Sequence, residues 1–292
     1  TGAAGLDVIG NDLANTLTGN AGYSLLAGAG GNDTLDGGGY FDELQGGAGN
    51  DLYILGDAND DGGTLRFDRV VEQVGEGIDT VQVSSTAGLA SYLLDANVER
   101  ARVSGVAAFD LVGNGLDNLL TGNDAANALT GGQGNDTLSG AGQNDTLDGG
   151  AGTDRLAGGT GNDTYVNPLG DTIVEGTDPG VDTVQRNVTI SLGAFANVER
   201  LVLTGAANIN GVGNALANLV NGNSGRNLLV EGGAKSLDLF LGQRFGVPAG
   251  VVLGEHLYAV AGAFLGQMHG LIAAAGGGTM GGFDASSCAC SS

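Results

Sequence analysis

The chain of 292 residues has no tryptophan, three prolines, two cysteines and only ten basic residues. Both cysteines, Cys288 and Cys290, lie at the C-terminal end, so residues 1–287 fold without disulfides and a small disulfide-stapled scaffold is excluded. A Cys-x-Cys pair without a second pair is a weak indication of zinc. The shortage of proline also excludes a collagen-like chain and a proline-rich spacer.

Basic residues and long apolar segments are equally scarce. Ten Lys and Arg against 33 Asp and Glu exclude nucleic acid as a partner, because phosphate contacts need clustered basic side chains. No apolar run reaches the ~18 residues that a membrane-spanning helix requires. The best stretch, 247–275, is interrupted by Glu255 and His256. The sequence therefore predicts no membrane span.

Glycine and acidic residues are what the chain has in excess. It contains 58 glycines and carries a formal net charge of −23 at pH 7. So many carboxylates repel one another unless cations neutralise them. The composition therefore favours a cation-binding protein.

The glycines belong to a nine-residue repeat. Five consecutive nonapeptides start at Gly10, six start at Gly113, and two more start at Gly213. Position one is always glycine, position six is Asp or Asn except at Ser24, and position eight is Leu, Tyr or Val. Matches in one continuous register identify a structural repeat rather than low-complexity filler.

A longer period of about 100 residues contains the nonapeptides. Segments that follow each block echo one another: Asp68-RVVE and Asp171-TIVE, Gly77-IDTVQ and Gly180-VDTVQ, Asn97-VER and Asn197-VER. The first residues resemble the end of such a unit, so we expect the chain to come from a longer tandem array. The predicted organisation is the end of a preceding unit at 1–9, unit 1 at 10–112 (nonapeptides 10–54, spacer 55–112), unit 2 at 113–212 (nonapeptides 113–166, spacer 167–212), a partial third block at 213–230 and an irregular C-terminal tail at 231–292.

The repeat predicts an all-β fold, a parallel β-roll or β-solenoid. Positions one to six have little side-chain bulk and predict a tight turn, whereas positions seven to nine predict a short strand whose middle residue points inward. Two nonapeptides make one flattened coil. Stacked coils bury a continuous narrow core and pair their backbones in parallel.

Stacking brings turns two repeats apart into register on the same edge. Each turn offers backbone carbonyls and an acidic residue at position six. An oxygen-only cage with carboxylates suits Ca²⁺ better than Mg²⁺, which prefers a tighter octahedral geometry and keeps its waters. Aspartates stacked above one another repel in the empty coil, so we expect folding and cation binding to be coupled.

The segments GGAGND at Gly46–Asp51, GGQGND at Gly131–Asp136 and GGTGND at Gly158–Asp163 make the chain resemble the RTX, or hemolysin-type, calcium-binding repeat proteins. The resemblance covers residues 1–230. It implies a parallel β-roll that binds several Ca²⁺ ions, export by type I secretion machinery, and an extracellular or cell-surface location in a bacterium. Cell-surface or self-association contacts are further implied partners.

In that family the position-six Asp and the turn carbonyls ligate calcium. The resemblance implies the carboxylate ligands Asp33, Asp42, Asp51, Asp136, Asp145, Asp154 and Asp163, and the turn glycines Gly47, Gly49, Gly132, Gly134, Gly150, Gly152, Gly159 and Gly161. Turns two apart pair Asp33 with Asp51, Asp136 with Asp154, and Asp145 with Asp163. Asp42 pairs with Ser24, a poor ligand, so that site is doubtful.

Other polar positions receive a structural interpretation. Turns with asparagine at position six are expected to be mainly structural, with an Asn ladder along the stack; these residues are Asn15, Asn118, Asn127, Asn218 and Asn227. Tyr53 and Tyr165 are expected to fill the core. A solvated or strand-edge role is favoured over calcium ligation for the spacer acids Glu72, Glu99, Glu175 and Glu199.

The residues contain no catalytic motif: neither H-E-x-x-H nor G-x-S-x-G is present, so no enzymatic activity is expected of them. A structural stalk of a bacterial adhesin or surface-layer protein is one alternative function. Another is a C-terminal accessory module of a secreted hydrolase or epimerase whose catalytic domain lies outside this sequence. The tail is interpreted either as an uncleaved secretion signal or as an artefact such as a frameshifted end; the abrupt loss of the period favours the artefact.

Overall fold

A computed structural model describes residues 4–56, 59–60, 65–85, 90–177 and 180–230. The predicted irregular tail at 231–292 lies outside the described residues. Within the described ranges the chain forms strands, turns and one short 3₁₀ segment, Leu192–Ala194. No helix there is long and apolar enough to cross a membrane. The predicted all-β class is confirmed.

Thirteen strands precede the second nonapeptide block. They are β1 (Val8–Ile9), β2 (Thr16–Thr18), β3 (Leu25–Gly30), β4 (Thr34–Asp36), β5 (Glu43–Ala48), β6 (Leu52–Leu55), β7 (Asn59–Asp60), β8 (Leu65–Arg66), β9 (Arg69–Val71), β10 (Thr80–Ser84), β11 (Ser91–Leu93), β12 (Arg100–Ser104) and β13 (Asp110–Val112).

Thirteen more strands follow. They are β14 (Leu119–Thr121), β15 (Ala128–Gln133), β16 (Thr137–Gly142), β17 (Thr146–Ala151), β18 (Arg155–Thr160), β19 (Thr164–Val166), β20 (Thr172–Ile173), β21 (Thr183–Arg186), β22 (Ile190–Ser191), β23 (Arg200–Leu203), β24 (Gly211–Val212), β25 (Leu219–Asn221) and β26 (Leu229–Val230).

The strands stack into parallel sheets, as a β-roll requires. A nine-stranded sheet has the order β2-β4-β6-β10-β12-β14-β16-β18-β20, and an eight-stranded sheet has the order β11-β13-β15-β17-β19-β21-β23-β25. Smaller parallel sheets are β1-β3-β5-β9 and β22-β24-β26. Among the described strands only the β7–β8 pair is antiparallel. Because consecutive strands alternate between sheets, the chain coils from one sheet to the other and back.

The register shows that one coil consists of two nonapeptides. Leu120 pairs with Leu138, and Leu138 pairs with Leu156, in steps of 18 residues. All three side chains are fully buried. Position eight therefore forms a ladder of apolar side chains that fills the interior between the sheets.

The spacers continue this stack instead of interrupting it. Tyr53 of the first block pairs with Val81 of the spacer, Val81 pairs with Ala101, and Ala101 pairs with Leu120 of the second block. All four are buried. The spacers are therefore longer coils whose strands occupy the same sheet, although they lack the nonapeptide pattern.

Several strands are longer than the predicted three residues. β15, β16, β17 and β18 have six residues each and extend through the first three positions of the following repeat. Backbone pairing causes the extension, because Gly132 pairs with Gly150 and Ala141 with Gly159 in the neighbouring coil. The glycine-rich turn is correspondingly shorter than expected.

The leucine ladder leads to a stability prediction. Replacing Leu138, which is fully buried between Leu120 and Leu156, by alanine leaves a cavity in a core one residue wide. We expect Leu138→Ala to cost about 2–5 kcal/mol of unfolding free energy, measured by urea denaturation in saturating calcium. Leu169→Ala, at a position that is 71% exposed, is the control and should change stability by less than about 0.5 kcal/mol. Equal effects of the two variants would contradict the ladder.

Candidate metal centre

The turns of both blocks share one backbone conformation. The eight predicted turn glycines all have positive φ values, at Gly47, Gly49, Gly132, Gly134, Gly150, Gly152, Gly159 and Gly161. At Gly152 (φ 153°) a Cβ would also lie 1.8 Å from the carbonyl oxygen of Gly134 in the preceding coil. The close stacking of turns thus requires glycine there, for steric as well as conformational reasons.

Three of the seven Asp-bearing turns place other residues in this strained region, and two of these turns have alanine there at position two, Ala29 (φ 85°) and Ala141 (φ 90°). Tyr40 has a φ of 78° and Gln143 a φ of 65°, both at position four. Such residues adopt positive φ at a cost of order 1 kcal/mol or more, so the surrounding structure determines the turn. The turn geometry is therefore a property of the stacked coil and does not depend on glycine alone.

Each position-six aspartate uses one carboxylate oxygen to join two coils. The backbone N–H of Asp33 donates to Oδ1 of Asp51 (2.7 Å), that of Asp136 to Oδ1 of Asp154 (2.8 Å), and that of Asp145 to Oδ1 of Asp163 (2.8 Å). The three pairs predicted from the spacing are thus neighbours in register. Their role as calcium ligands stays a prediction.

These hydrogen bonds form ladders that continue into the spacers. The backbone N–H of Asp51 donates to Oδ1 of Asp79 (2.8 Å), and the N–H of Asp79 donates to Oε2 of Glu99 (2.9 Å). The same hydrogen bond, from a backbone N–H to a side-chain carboxylate oxygen, joins each residue to the next in two further series, 118-136-154-171 and 127-145-163-182-199. In the spacer coils, carboxylates therefore occupy the same place in the ladder as the position-six aspartates occupy in the repeats.

Asp42 has a neighbour that the spacing did not reveal. Its Oδ1 accepts the backbone N–H of Ser24 (2.6 Å), as the predicted pairing requires. On the other side, its own N–H donates to Oδ1 of Asp68 (3.0 Å), a buried spacer residue. A second carboxylate thus lies next to Asp42, on the side away from Ser24.

The second carboxylate oxygen has no hydrogen-bond partner within the described structure at six of the position-six aspartates. The buried, unsatisfied Oδ2 atoms include those of Asp33, Asp42, Asp51, Asp136, Asp145 and Asp154. A buried carboxylate oxygen without a partner costs several kcal/mol. Unsatisfied groups that recur at the same position of each turn indicate a ligand that the turns are built to hold.

Each of these oxygens faces a space left by the glycine at position one. The point where a Cβ of Gly28 would lie is 2.1 Å from Oδ2 of Asp33 and 2.6 Å from the carbonyl oxygen of Gly46 in the next coil. The corresponding point at Gly131 is 2.2 Å from Oδ2 of Asp136 and 2.5 Å from the carbonyl oxygen of Gly149. Carboxylate and carbonyl oxygens at this spacing are the donors that Ca²⁺ prefers, so the residues fit that ion.

Turns with asparagine at position six satisfy their polar side-chain atoms without a cation. Oδ1 of Asn118 accepts the N–H of Asn114 in its own turn (2.8 Å), and its Nδ2 donates to the carbonyl oxygen of Val98 (3.3 Å). Asn127 and Asn218 likewise donate to carbonyls of the preceding coil. The side-chain amide of asparagine thus donates to a carbonyl oxygen of the preceding coil. An aspartate at this position would instead place a second acceptor next to that oxygen. This geometry supports the structural interpretation of the Asn-bearing coils.

Burial makes the ionised form of four position-six aspartates less favourable when no cation is bound. Desolvation raises the pKa of Asp42, Asp51 and Asp136 to about 6 and that of Asp145 to about 7, against an ordinary value near 3.8. A hydrogen bond from the preceding coil partly opposes the shift in each case, and a neighbouring carboxylate adds to it. The metal-free coil therefore binds these protons more tightly than the unfolded chain does.

The expectation that Glu72 is solvated is wrong. Glu72 is 6% exposed and accepts a hydrogen bond from the hydroxyl of Tyr53, which itself accepts the N–H of Gly46 (2.7 Å). Tyr165 and Glu175 form the same contact in the second block. Both tyrosines are fully buried in the core, as expected, but their hydroxyls also hold a spacer glutamate.

Sequence reasoning missed four aspartates of the ladders: Asp68, Asp79, Asp171 and Asp182. The signal for them was present, because the spacer echoes D-x-x-V-E and G-x-D-T-V-Q contain all four. Their spacing from the last nonapeptide does not follow the period of nine, so the period alone could not align them with position six.

A comparison with protein families agrees with this geometry. The family model of the RTX calcium-binding nonapeptide repeat matches in four copies, at residues 9–39, 28–61, 112–147 and 130–165. The chain carries RTX calcium-binding nonapeptide repeats. The matched segments coincide with the first two nonapeptide blocks. No curated protein matches the chain.

The contrast between Asp and Asn turns of these RTX repeats leads to a prediction. The double substitution Asp136→Asn and Asp154→Asn keeps the ladder acceptors but removes two buried charges. We expect it to lose at least one bound Ca²⁺ by equilibrium dialysis and, in calcium-depleted buffer, to retain more β structure by circular dichroism than the unmodified chain. The corresponding double alanine variant should lose calcium and stability together, by about 1–3 kcal/mol per ladder bond removed.

The matched control for this experiment is Asp7→Asn with Asp124→Asn. Both aspartates are exposed, so this variant removes the same formal charge from the surface. It should bind as many ions as the unmodified chain. Unchanged calcium stoichiometry in the Asp136 and Asp154 variant would contradict the assignment of these ligands.

The raised pKa values of the metal-free form lead to a pH prediction. An aspartate whose pKa is about 6 or 7 when folded and near 3.9 when unfolded binds its proton more tightly in the folded state. Stability from this source is fully present below about pH 4 and is lost as the pH rises through about 6 to 7. We expect the calcium-depleted chain to show more β structure by circular dichroism at pH 5 than at pH 8. Less β structure at pH 5 than at pH 8 would contradict the burial of these carboxylates in the metal-free coil.

Proposed function

We propose that the chain is a secreted calcium-binding module whose folding is driven by Ca²⁺ held between stacked RTX turns. The observation that carries the proposal is the series of buried Oδ2 atoms without a partner, one at each described Asp turn from Asp33 to Asp154. Each would destabilise the coil until a cation binds. Because the site needs two neighbouring coils, binding and stacking are then a single process.

Calcium availability would decide where the module folds. In calcium-poor cytosol the repulsion among carboxylates keeps the chain unfolded, which suits passage through type I secretion machinery. Outside the cell, calcium neutralises the carboxylates and the coils stack. The RTX repeats and the net charge of −23 support this location and route. The role of these residues is binding and structural rather than catalytic.

A structural stalk is a second candidate function. It is favoured by the continuity of the stack: the nine-stranded sheet extends from β2 of the first block through the spacer to β20 beyond the second block. A solenoid that continues through its spacers can extend by adding units, and calcium then acts as a stiffener. Extracellular contacts would involve cell surfaces or further copies of the repeat.

Circular dichroism tests the coupling of folding to calcium. In EDTA the far-ultraviolet spectrum should be that of a coil, and millimolar calcium should convert it to a β spectrum. Magnesium at the same concentration is the control for ionic strength and should produce little β structure. A β spectrum in EDTA at pH 8 that does not change with calcium would refute coupled folding.

A further inference from the structure

We propose that each nonapeptide block ends in a calcium site of a different kind, made of three carboxylates from the last repeat and the following spacer. In the first block the site consists of Asp51, Glu72 and Asp79. In the second block it consists of Asp163, Glu175 and Asp182. We call these the block-end sites. The proposal goes beyond the calcium sites between RTX turns, because two of the three ligands in each case lie outside the nonapeptides.

The three side chains of the first block-end site converge inside the protein. One carboxylate oxygen from each of Asp51, Glu72 and Asp79 lies within 4.8 Å of the other two. The residues are 1%, 6% and 1% exposed, respectively. Ligands that are 2.3–2.6 Å from a shared Ca²⁺ can be separated by up to about 5 Å, so the three oxygens fit around one ion.

A second observation shows that this cluster is directed at a ligand. Oδ2 of Asp51 and Oε2 of Glu72 are buried and have no hydrogen-bond partner within the described residues. The other oxygen of each carboxylate is occupied: Oδ1 of Asp51 accepts the N–H of Asp33, and Oε1 of Glu72 accepts the hydroxyl of Tyr53. Each carboxylate is therefore oriented by one hydrogen bond, and its other oxygen is available to an ion.

The charge of the cluster requires a cation. The carboxylates next to Glu72 are Asp79, Asp51 and Glu76, and within the described structure no basic side chain forms an ion pair with any of the three ligands. Protonation of a single group would still leave two buried negative charges. A divalent cation with three carboxylate ligands neutralises most of this charge, and oxygen-only ligands select Ca²⁺ among the common ions.

The same arrangement occurs twice although the two spacers differ in length. Tyr53 pairs with Val81, 28 residues later, whereas Tyr165 pairs with Val184, only 19 residues later. In both blocks the tyrosine hydroxyl donates to the spacer glutamate and accepts an N–H of its own last repeat, from Gly46 and Gly158. An ion here would fasten the spacer coil to the final nonapeptide coil.

Calcium stoichiometry of the full chain tests the block-end sites. We expect Glu72→Gln to bind one Ca²⁺ fewer than the unmodified chain in equilibrium dialysis, and Glu72→Gln with Glu175→Gln to bind two fewer. Glu43→Gln is the matched control: it removes one charge from a surface ion pair with Arg69 and should leave the number of ions unchanged. Full occupancy in the Glu72 and Glu175 variants would overturn the proposal.

Tyr53→Phe provides an independent test that leaves all three ligands in place. Without the hydroxyl that orients Glu72, we expect the same number of ions but a calcium affinity at least several-fold weaker at one site. An unchanged binding isotherm would count against the positioning of Glu72 by Tyr53 and hence against the site. This variant also remains informative if a glutamine variant does not fold.

The outcome separates this proposal from the proposed function. If the chain binds no calcium and does not respond to it, the function proposed above fails. If the glutamine variants keep every ion while Asp136→Asn with Asp154→Asn loses at least one, the turn sites are real and the block-end sites are not. A loss in both sets of variants supports both kinds of site.

Discussion

The stacking of buried carboxylates is the constraint on which the rest of the structure depends. Successive coils place an acidic side chain above another, with Asp33, Asp51 and Asp79 joined through backbone N–H donors. Each residue in this series is almost completely buried. The backbone pairing and the leucine ladder bring the coils together, and the same approach brings the charges together. Stability of the stack therefore requires that the charge be neutralised.

The two oxygens of each aspartate have separate roles in meeting this constraint. Oδ1 accepts a hydrogen bond that joins neighbouring coils, whereas Oδ2 at the described turns from Asp33 to Asp154 has no hydrogen-bond partner and is the proposed cation ligand. Asparagine at the same position gives up the cation ligand and gains a donor to the preceding coil, as at Asn118. Under the proposed function, the choice between Asp and Asn determines which coils need calcium, while the fold of the turn stays the same.

The period of nine was sufficient to predict the coil, the inward leucines and the pairing of Asp136 with Asp154. These features recur at the same position of every nonapeptide. Residues two repeats apart in the sequence are therefore neighbours in the stack. The contributions of Asp79 and Glu72 could not be predicted in this way, because the spacer coils have different lengths. Their position follows from strand pairing, such as Tyr53 with Val81, which is a tertiary contact that the period of nine does not specify. Glu72 is buried and accepts the hydroxyl of Tyr53, which its flanking residues did not indicate.

Nearest-neighbour coupling in a solenoid gives the Asn-bearing coils a further role. A coil stabilises only the coils next to it, so folding can start wherever a pair of coils is stable without help from the ends. The coil that contains Asn118 and Asn127 satisfies its own polar groups and lies between the first spacer and the Asp turns of the second block. It presents its backbone N–H groups to Asp136 and Asp145, the first position-six aspartates of the second block. Under the proposed function, a coil with uncharged residues at position six would offer a template at the start of a block, on which each bound ion adds one more coil.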